Sequence, residues 1–254
     1  MPTPLDLILD PISWVFFGML AALSLWQALA PGRTLPTVRH WTARSFAALV
    51  VYFLLSSYLP LLWGEALAPL QRFDLSGWPT WAAVAAGLFA YEIGAYAWHR
   101  AMHRFTPLWR GIHQMHHSAE RLDVLGAFWF SPVDMVTWTL LPSLVLALLG
   151  LPAQAATIVL LSITFLSVFQ HANVRTPRWL GWFVQRPEMH TVHHARGVHH
   201  YNYADLPVID MLGGTYRNPA GYEHDTGFWH GASARVLDML RLRDVSRPAA
   251  TREA

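Results

Sequence analysis

The sequence predicts an all-α integral membrane protein, a bundle of about four to five membrane helices with a histidine-rich helical cap on its cytoplasmic side. Composition and pattern both support this fold class. Hydrophobic residues make up 54% of the 254 residues and charged residues only 13%, which is too apolar for an ordinary soluble domain. Five long apolar stretches follow one another along the chain, at residues 12–30, 45–63, 78–98, 133–149 and 152–170.

Each stretch has the length needed to cross about 30 Å of hydrocarbon as a helix. The first is preceded by Asp6 and Asp10 instead of basic residues, so we interpret it as a retained membrane helix and not as a signal peptide. Gly150 and Pro152 separate the last two stretches with helix stop and start signals, and we expect a tight hairpin there. Pro142 inside the fourth stretch leaves open that this hairpin is re-entrant.

Arginine accounts for all 18 basic residues, because the chain contains no lysine. Every arginine except Arg72 lies in a segment that this order of helices places on one side of the membrane. The positive-inside rule makes that side the cytoplasm. We therefore expect a multi-pass protein of a bacterial inner membrane, with its N-terminus outside and its C-terminus in the cytoplasm.

We see no domain boundary, repeat or low-complexity tract, and we predict one membrane-embedded domain over residues 1–254. The absence of cysteine excludes a disulfide framework, a thiolate metal site and a cysteine nucleophile. Because the arginines are dispersed along a membrane face, the sequence gives no support to nucleic-acid binding.

Nine of the 14 histidines fall where the predicted helices meet the cytoplasmic face. Two of them stand four residues apart at the end of the third stretch, which puts them on one helix face. Two H-x-x-H-H segments, at residues 113–117 and 190–194, each also fit one helix face, and a single histidine ends the fifth stretch. The nine are His99, His103, His113, His116, His117, His171, His190, His193 and His194.

Neutral imidazole is the commonest side-chain metal ligand, and it suits iron, zinc, copper and nickel. Nine are too many for one ion but suit two ions with four or five ligands each, so we predict a dinuclear metal site. His40, His224 and His230 have no such neighbours in sequence and are interpreted as surface residues. His199 and His200 are intermediate between the two classes.

The histidine segments resemble the histidine boxes of the membrane fatty acid hydroxylase/sterol desaturase superfamily. The pieces "WHRAMH", "HQMHHS", "FQHANV" and "RPEMHTVHH" occur in the order found in that family, and "NYADLPVIDMLGGTY" is similar to the stretch that follows them. The resemblance covers residues 85–216. Ala204, Ile209 and Gly213 depart from the family pattern, which leaves the subfamily and the substrate open.

This resemblance implies a centre of two iron ions that activates O2 and hydroxylates, or less often desaturates, a C–H bond of a fatty acyl, sterol or related lipid. Zinc is a possible substitute for iron, because it competes well for imidazole. The sequence has no dinucleotide-binding fingerprint, so the electrons must come from a separate reductase or small redox carrier.

Four polar residues are candidates for supporting the histidines. Glu92 lies seven residues before His99 on the same helix face and is the only acid inside its stretch, so it could accept an imidazole N–H. Asn173 and Asn202 could act similarly or bind a metal-bound water, and Asp210 could hold an imidazole or an arginine.

Three other functions stay open. The first is a lipid or sterol desaturase that uses the same two-iron site. A metal-transporting membrane protein is less favoured, because its ionisable residues should follow a path across the membrane and not gather at one face. A zinc hydrolase would leave most of the nine ligands without a role.

Overall fold

The computed structural model describes residues 1–248, and these residues form helices and connecting segments without a β-strand. The all-α prediction is therefore confirmed for this part of the chain. The α-helices are α1 (Pro4–Leu9), α2 (Pro11–Leu29), α3 (Trp41–Leu67), α4 (Thr80–Arg104), α5 (Thr106–Leu108), α6 (Gln114–His117), α7 (Pro132–Leu149), α8 (Ala153–His171), α9 (Pro187–His193), α10 (Pro207–Gly213) and α11 (Val236–Leu240).

Every predicted apolar stretch forms a helix, and within residues 1–248 four helices are long and apolar enough to cross a membrane. These four are α2, α3, α7 and α8. Helix α4, which contains the third stretch, is not among them, because Glu92, its tyrosines and glycines, and a polar last turn lower its hydropathy. It is nevertheless 25 residues long. The protein is an integral membrane protein with four candidate membrane spans, and α4 is a further long helix.

The acids before the first long helix are helix caps. Thr3 and Asp6 form a capping box at the start of α1, and the side chain of Asp10 accepts a hydrogen bond from the backbone N–H of Ile12 at the start of α2. Each satisfies backbone donors that a helix leaves unpaired at its first turn.

Helix α4 packs against both α7 and α8. Tyr91 and Ala95 of α4 form one buried cluster with Val145 of α7 and with Val159 and Ile163 of α8. The predicted turn between α7 and α8 is present, since Gly150 ends α7 in a left-handed conformation at φ 58° that favours glycine.

Close packing of α4 depends on Gly87. A Cβ atom at Gly87 would lie 2.9 Å from side-chain atoms of Leu151 and Val159, so a larger residue would push the helices apart. Pro142 does not interrupt α7, which continues as a helix to Leu149. Helix α7 is long and apolar enough to cross a membrane, and the re-entrant hairpin stays a prediction.

Residues 172–248 cover the end of the bundle where α4 and α8 end and α7 begins. Arg186 anchors this cap from a fully buried position. Its guanidinium donates to Asn218 Oδ1 at 2.6 Å and to the Thr176 carbonyl at 2.8 Å, and it lies 3.1 Å from the Glu188 carboxylate. A buried charge needs such partners. This network therefore fixes the start of α9, which follows Arg186 directly.

Candidate metal centre

Three histidines of the site lie at or near the C-terminal ends of long helices. His99 and His103 lie one turn apart near the C-terminal end of α4, and His171 is the last residue of α8. Residues after α4 form a short helix, then a five-residue π-helical turn (Trp109–His113), and then α6. Single π-turns of this kind are common at functional sites, and here the turn brings His113 beside His99.

The nine predicted ligands form two buried groups. Within each group, one ring nitrogen of every histidine lies within 4.8 Å of the corresponding nitrogen of the others. Eight of the nine are buried and His103 is half-buried. The first group contains His99, His103, His113, His117 and His193, and the second contains His116, His171, His190 and His194.

The two H-x-x-H-H segments each contribute to both groups. In the first segment, His113 and His117 join the first group and His116 joins the second. The second segment reverses this pattern, because His190 and His194 join the second group while His193 joins the first. Successive helical residues differ in direction by about 100°, so adjacent histidines must point to different places. The helix face that each segment presents is therefore divided between the two groups.

In the first group, the outer nitrogens of three rings are held by acceptors. His99 Nδ1 lies 2.8 Å from the Tyr203 carbonyl, His113 Nδ1 lies 2.8 Å from Asp134 Oδ2, and His193 Nδ1 lies 2.7 Å from the Tyr201 carbonyl. Carbonyl and carboxylate oxygens only accept, so each Nδ1 carries the proton. The neutral ring then leaves Nε2 bare and facing the inside of the group.

In the second group, one ring shows the same arrangement, because His171 Nδ1 donates to the Ser167 carbonyl at 2.7 Å. His190 Nδ1 lies 2.6 Å from the side-chain amide nitrogen of Gln185, and the buried Gln185 oxygen has no partner within the described residues. If the amide is turned by 180°, its oxygen faces His190 and accepts the Nδ1 proton. His194 has no hydrogen-bond partner within the described residues on either ring nitrogen.

Ring nitrogens face one another at short distances across both groups. The Nε2 atoms of His99 and His113 are 3.0 Å apart, those of His117 and His193 are 3.1 Å apart, and His171 Nε2 is 3.0 Å from His190 Nε2. His99 and His113 both carry their proton on Nδ1, so two lone pairs face each other there and repel unless a cation lies between them. Burial lowers the pKa of His190 and His193, which disfavours a proton in that role. The donor set therefore fits two metal ions that prefer nitrogen ligands.

Asp134 is a supporting residue that our sequence reading missed. It lies in the first turn of α7, where Ser131 caps the helix, and its carboxylate bonds the His113 ring. A carboxylate behind a metal-binding histidine orients the ring and raises its basicity. The available signal was that Asp134 is the only acid in the apolar stretch 133–149.

The four polar candidates make no hydrogen bond to an imidazole. Glu92 Oε2 accepts from the backbone N–H groups of Asp205 and Leu206, at 2.9 and 3.1 Å. Seven residues separate it from His99, which puts it on the right face but about 10 Å away along the helix axis. Its support is indirect, because the Asp205 carbonyl accepts from the Gln185 N–H and the Gln185 side chain contacts His190.

The other three candidates also bind the backbone. Asn173 exchanges hydrogen bonds with both backbone groups of Arg33, and Asn202 donates to the Met189 and Arg217 carbonyls. Asp210 accepts from the N–H groups of Tyr203 and Ala204. Asp210 thus holds the loop whose Tyr203 carbonyl bonds His99. Asn202 holds the helix that carries His190, because it bonds the carbonyl of the preceding residue, Met189. Asp210 holds neither an imidazole nor an arginine.

Glu92→Ala is expected to destabilise the protein, because it removes the acceptor from the N–H groups of Asp205 and Leu206. Each lost partner costs about 1–3 kcal/mol, so the melting temperature in detergent should fall clearly. Glu92→Gln keeps one acceptor oxygen and should lose less. Equal melting temperatures for wild type and Glu92→Ala would contradict this bracing role.

His199 adds a contact that sequence spacing left undecided. Its Nδ1 lies 3.1 Å from Nδ1 of His117, on the side of the ring that faces away from the first group. His199 can therefore accept the His117 Nδ1 proton, as the carbonyls do for other rings. His200 instead bonds the Tyr203 hydroxyl at 2.6 Å.

An apolar cavity of about 510 Å³ leads to both histidine groups. Five of the nine histidines line its inner end: His99, His113, His116, His171 and His190. Helices α2, α3, α4, α7 and α8 form its walls, and along α3 it extends from Tyr52 to Leu67, which corresponds to about 20 Å. Its volume is in the range of small-molecule sites. Phe130 stacks on the His116 ring at 4.3 Å between centroids.

A sequence model of the fatty acid hydroxylase family matches residues 84–215. The chain belongs to this family. The match confirms the resemblance seen in the histidine boxes. It runs from the second turn of α4 to just beyond α10, the part that carries all nine histidines. No solved structure matches the chain.

A curated relative is the Delta(7)-sterol-C5(6)-desaturase of Nicotiana tabacum, which is 30% identical over 153 residues. The alignment covers 58% of this chain and 55% of the relative, so the chain spans about half the length of the curated relative it matches.

Proposed function

We propose that the protein is an O2-dependent oxidoreductase that hydroxylates a C–H bond of a membrane lipid, using two iron ions held by the nine histidines. The observation that carries this proposal is the position of both histidine groups at the inner end of one apolar cavity among the membrane helices. Family membership supports the class of reaction.

Bound iron would supply the reduction of O2 and the cleavage of an unactivated C–H bond. In the net reaction, one oxygen atom of O2 enters the C–H bond and the other leaves as water. Two electrons and two protons come from a separate donor, a reductase or small redox carrier. The reaction therefore needs no nucleophile or general base from the chain.

The chain's own residues hold and orient the reacting groups. Asp134 and the carbonyls of Tyr201 and Tyr203 keep the outer protons of three rings in place, so the inner nitrogens stay free. The apolar walls exclude water and accept a hydrocarbon chain from the bilayer. We infer the identity of the metal from the family, and zinc is the expected substitute in recombinant material.

Desaturation at the same site is the second candidate. The named activity of the tobacco relative favours it. Desaturation removes two hydrogen atoms from neighbouring carbons, and with two electrons and two protons from the donor both oxygen atoms leave as water. Metal transport is less well supported, because the histidines gather at one end of the bundle.

Turnover under 18O2 is expected to give a lipid product whose new hydroxyl carries the heavy isotope. The reaction should require O2 and a reductant together, and mass spectrometry of the extracted lipids measures the label. An unlabelled hydroxyl would contradict oxygenation. A new double bond without label would instead favour the desaturase.

We also propose that the N-terminus lies outside the membrane and that the histidine cap lies in the cytoplasm. Reporter fusions at residue 70 and at the C-terminus are then expected to give opposite signals, because the segments lie on opposite sides. Equal signals would overturn this orientation and leave the metal chemistry unaffected.

A further inference from the structure

Most polar side chains along the cavity are already satisfied by their own helices. The hydroxyls of Ser56 and Ser57 donate to the Phe53 carbonyl, that of Ser143 to the Thr139 carbonyl, and that of Thr164 to the Leu160 carbonyl. These hydroxyls offer little to a ligand. The indole N–H groups of Trp63 and Trp138 also line the cavity and are buried without a partner within the described residues, but an indole N–H can only donate.

The wall beside the second histidine group differs in offering unpaired acceptor oxygens. Tyr91, Gln170 and Asp205 are buried there and line the cavity. Gln170 Nε2 donates to Asp205 Oδ1 at 2.8 Å. Within the described part of the chain, the Gln170 amide oxygen is buried without a partner, and neither the Tyr91 hydroxyl nor the second Asp205 oxygen makes a hydrogen bond.

Unpaired polar groups in a buried wall cost free energy unless something in the cavity pairs with them. A purely hydrocarbon ligand would leave all three unpaired. A hydroxyl can accept a hydrogen bond from Tyr91 and donate its own proton to Gln170 or Asp205. Gln170 and Asp205 are in direct contact and Tyr91 lines the same cavity, so together they offer one donor and two acceptors, the set that an alcohol function can use.

The charge of this wall selects against an anionic headgroup. Asp205 is a carboxylate, the Glu92 carboxylate bonds its backbone N–H, and no arginine is among the described residues that line the cavity. Burial raises the pKa of Asp205 to about 7, so this end of the cavity holds negative charge poorly. A carboxylate or phosphate placed here would meet the same cost.

We propose that the ligand of this cavity is a neutral lipid alcohol that enters hydroxyl first, and that Tyr91, Gln170 and Asp205 bind its hydroxyl beside the histidines. The hydrocarbon body then extends along α3 toward Leu67. This rests on the proposed function in taking the ligand to be a lipid. It further implies that the oxidised carbon lies in the part of the lipid next to its hydroxyl, not at the far end.

Binding without turnover tests this proposal. Metal-loaded protein in detergent, with no reductant, is titrated with a fluorescent long-chain probe that is displaced by hexadecan-1-ol, its methyl ether or palmitate. We expect the alcohol to bind about 10-fold more tightly than the ether or the acid, the ratio that one good hydrogen bond supplies. Equal affinities, or tightest binding of palmitate, would overturn the proposal.

Two variants separate the contributions. Tyr91→Phe removes only a hydroxyl and should abolish most of the preference for the alcohol over the ether. Asp205→Asn removes the charge and should improve palmitate binding relative to the alcohol. Ser143→Ala is the matched control, because that hydroxyl already donates to its own helix.

A preference retained in Tyr91→Phe, or an Asp205→Asn variant that still rejects palmitate as wild type does, would contradict the assigned roles. Metal content, measured in every variant, reports whether the fold is intact. Because the assay involves no turnover, its failure is distinguishable from failure of the proposed oxygenation, which the isotope experiment tests separately.

Discussion

Replacing His116 or His193 by alanine is expected to abolish lipid oxidation, although the two residues belong to different histidine groups. Each substitution deletes one nitrogen from a buried group in which the inner nitrogens face one another. The proposed chemistry needs both groups at the end of one cavity, so loss at either one stops turnover. Product formation by purified protein, supplied with O2 and reductant, measures the effect.

The two variants should lose metal from different histidine groups. We expect His116→Ala to lose metal mainly from the second group and His193→Ala mainly from the first, so each keeps up to one ion per chain. His230→Ala is the control, because that exposed histidine belongs to neither group. Wild-type activity with both ions retained in either variant would refute the ligand assignment.

The second large effect is expected at Asp134. Asp134→Ala removes the acceptor of the His113 Nδ1 proton, and the ring then loses both its fixed orientation and its fixed tautomer. Loss of such a partner typically weakens metal affinity or activity ~10–100-fold. Asp134→Asn retains an acceptor oxygen but no charge and should lie between wild type and alanine.

Thr137→Ala provides the matched control on the same helix, because its hydroxyl donates to the Asp134 backbone carbonyl and not to a ring. Metal retention during dialysis against a chelator and turnover rate are both measured. If Asp134→Ala retains metal and turns over as well as this control does, the carboxylate has no part in orienting His113.

Much of the fold followed from local patterns. Apolar stretches of membrane length predict their helices, because burial in hydrocarbon requires a long run of apolar residues with internal hydrogen bonding. The turn at Gly150 followed from a residue that tolerates a left-handed conformation. The position of α4 against both α7 and α8 did not follow, because it depends on long-range contacts such as that of Gly87 with Val159.

The site was predictable as a set of residues but not as an arrangement. The spacing of His99 and His103 predicts that they act together, since a four-residue interval returns to the same helix face. The division of each H-x-x-H-H segment between two groups depends on how α6 and α9 are rotated, which sequence spacing does not determine. The pairing of Asp134 with His113 crosses 21 positions and had no local signal beyond an acid in an apolar stretch.

The central claim is that each histidine group holds one metal ion. The most direct test is elemental analysis of the wild-type protein purified from iron-supplemented cells, combined with X-ray absorption at the metal edge. We predict two ions per chain, iron or zinc in its place, surrounded by nitrogen ligands at about 2.0–2.1 Å in the zinc form. A chain that is folded and active with one ion or none, or whose metal is bound by ligands other than histidine nitrogen, would contradict the account.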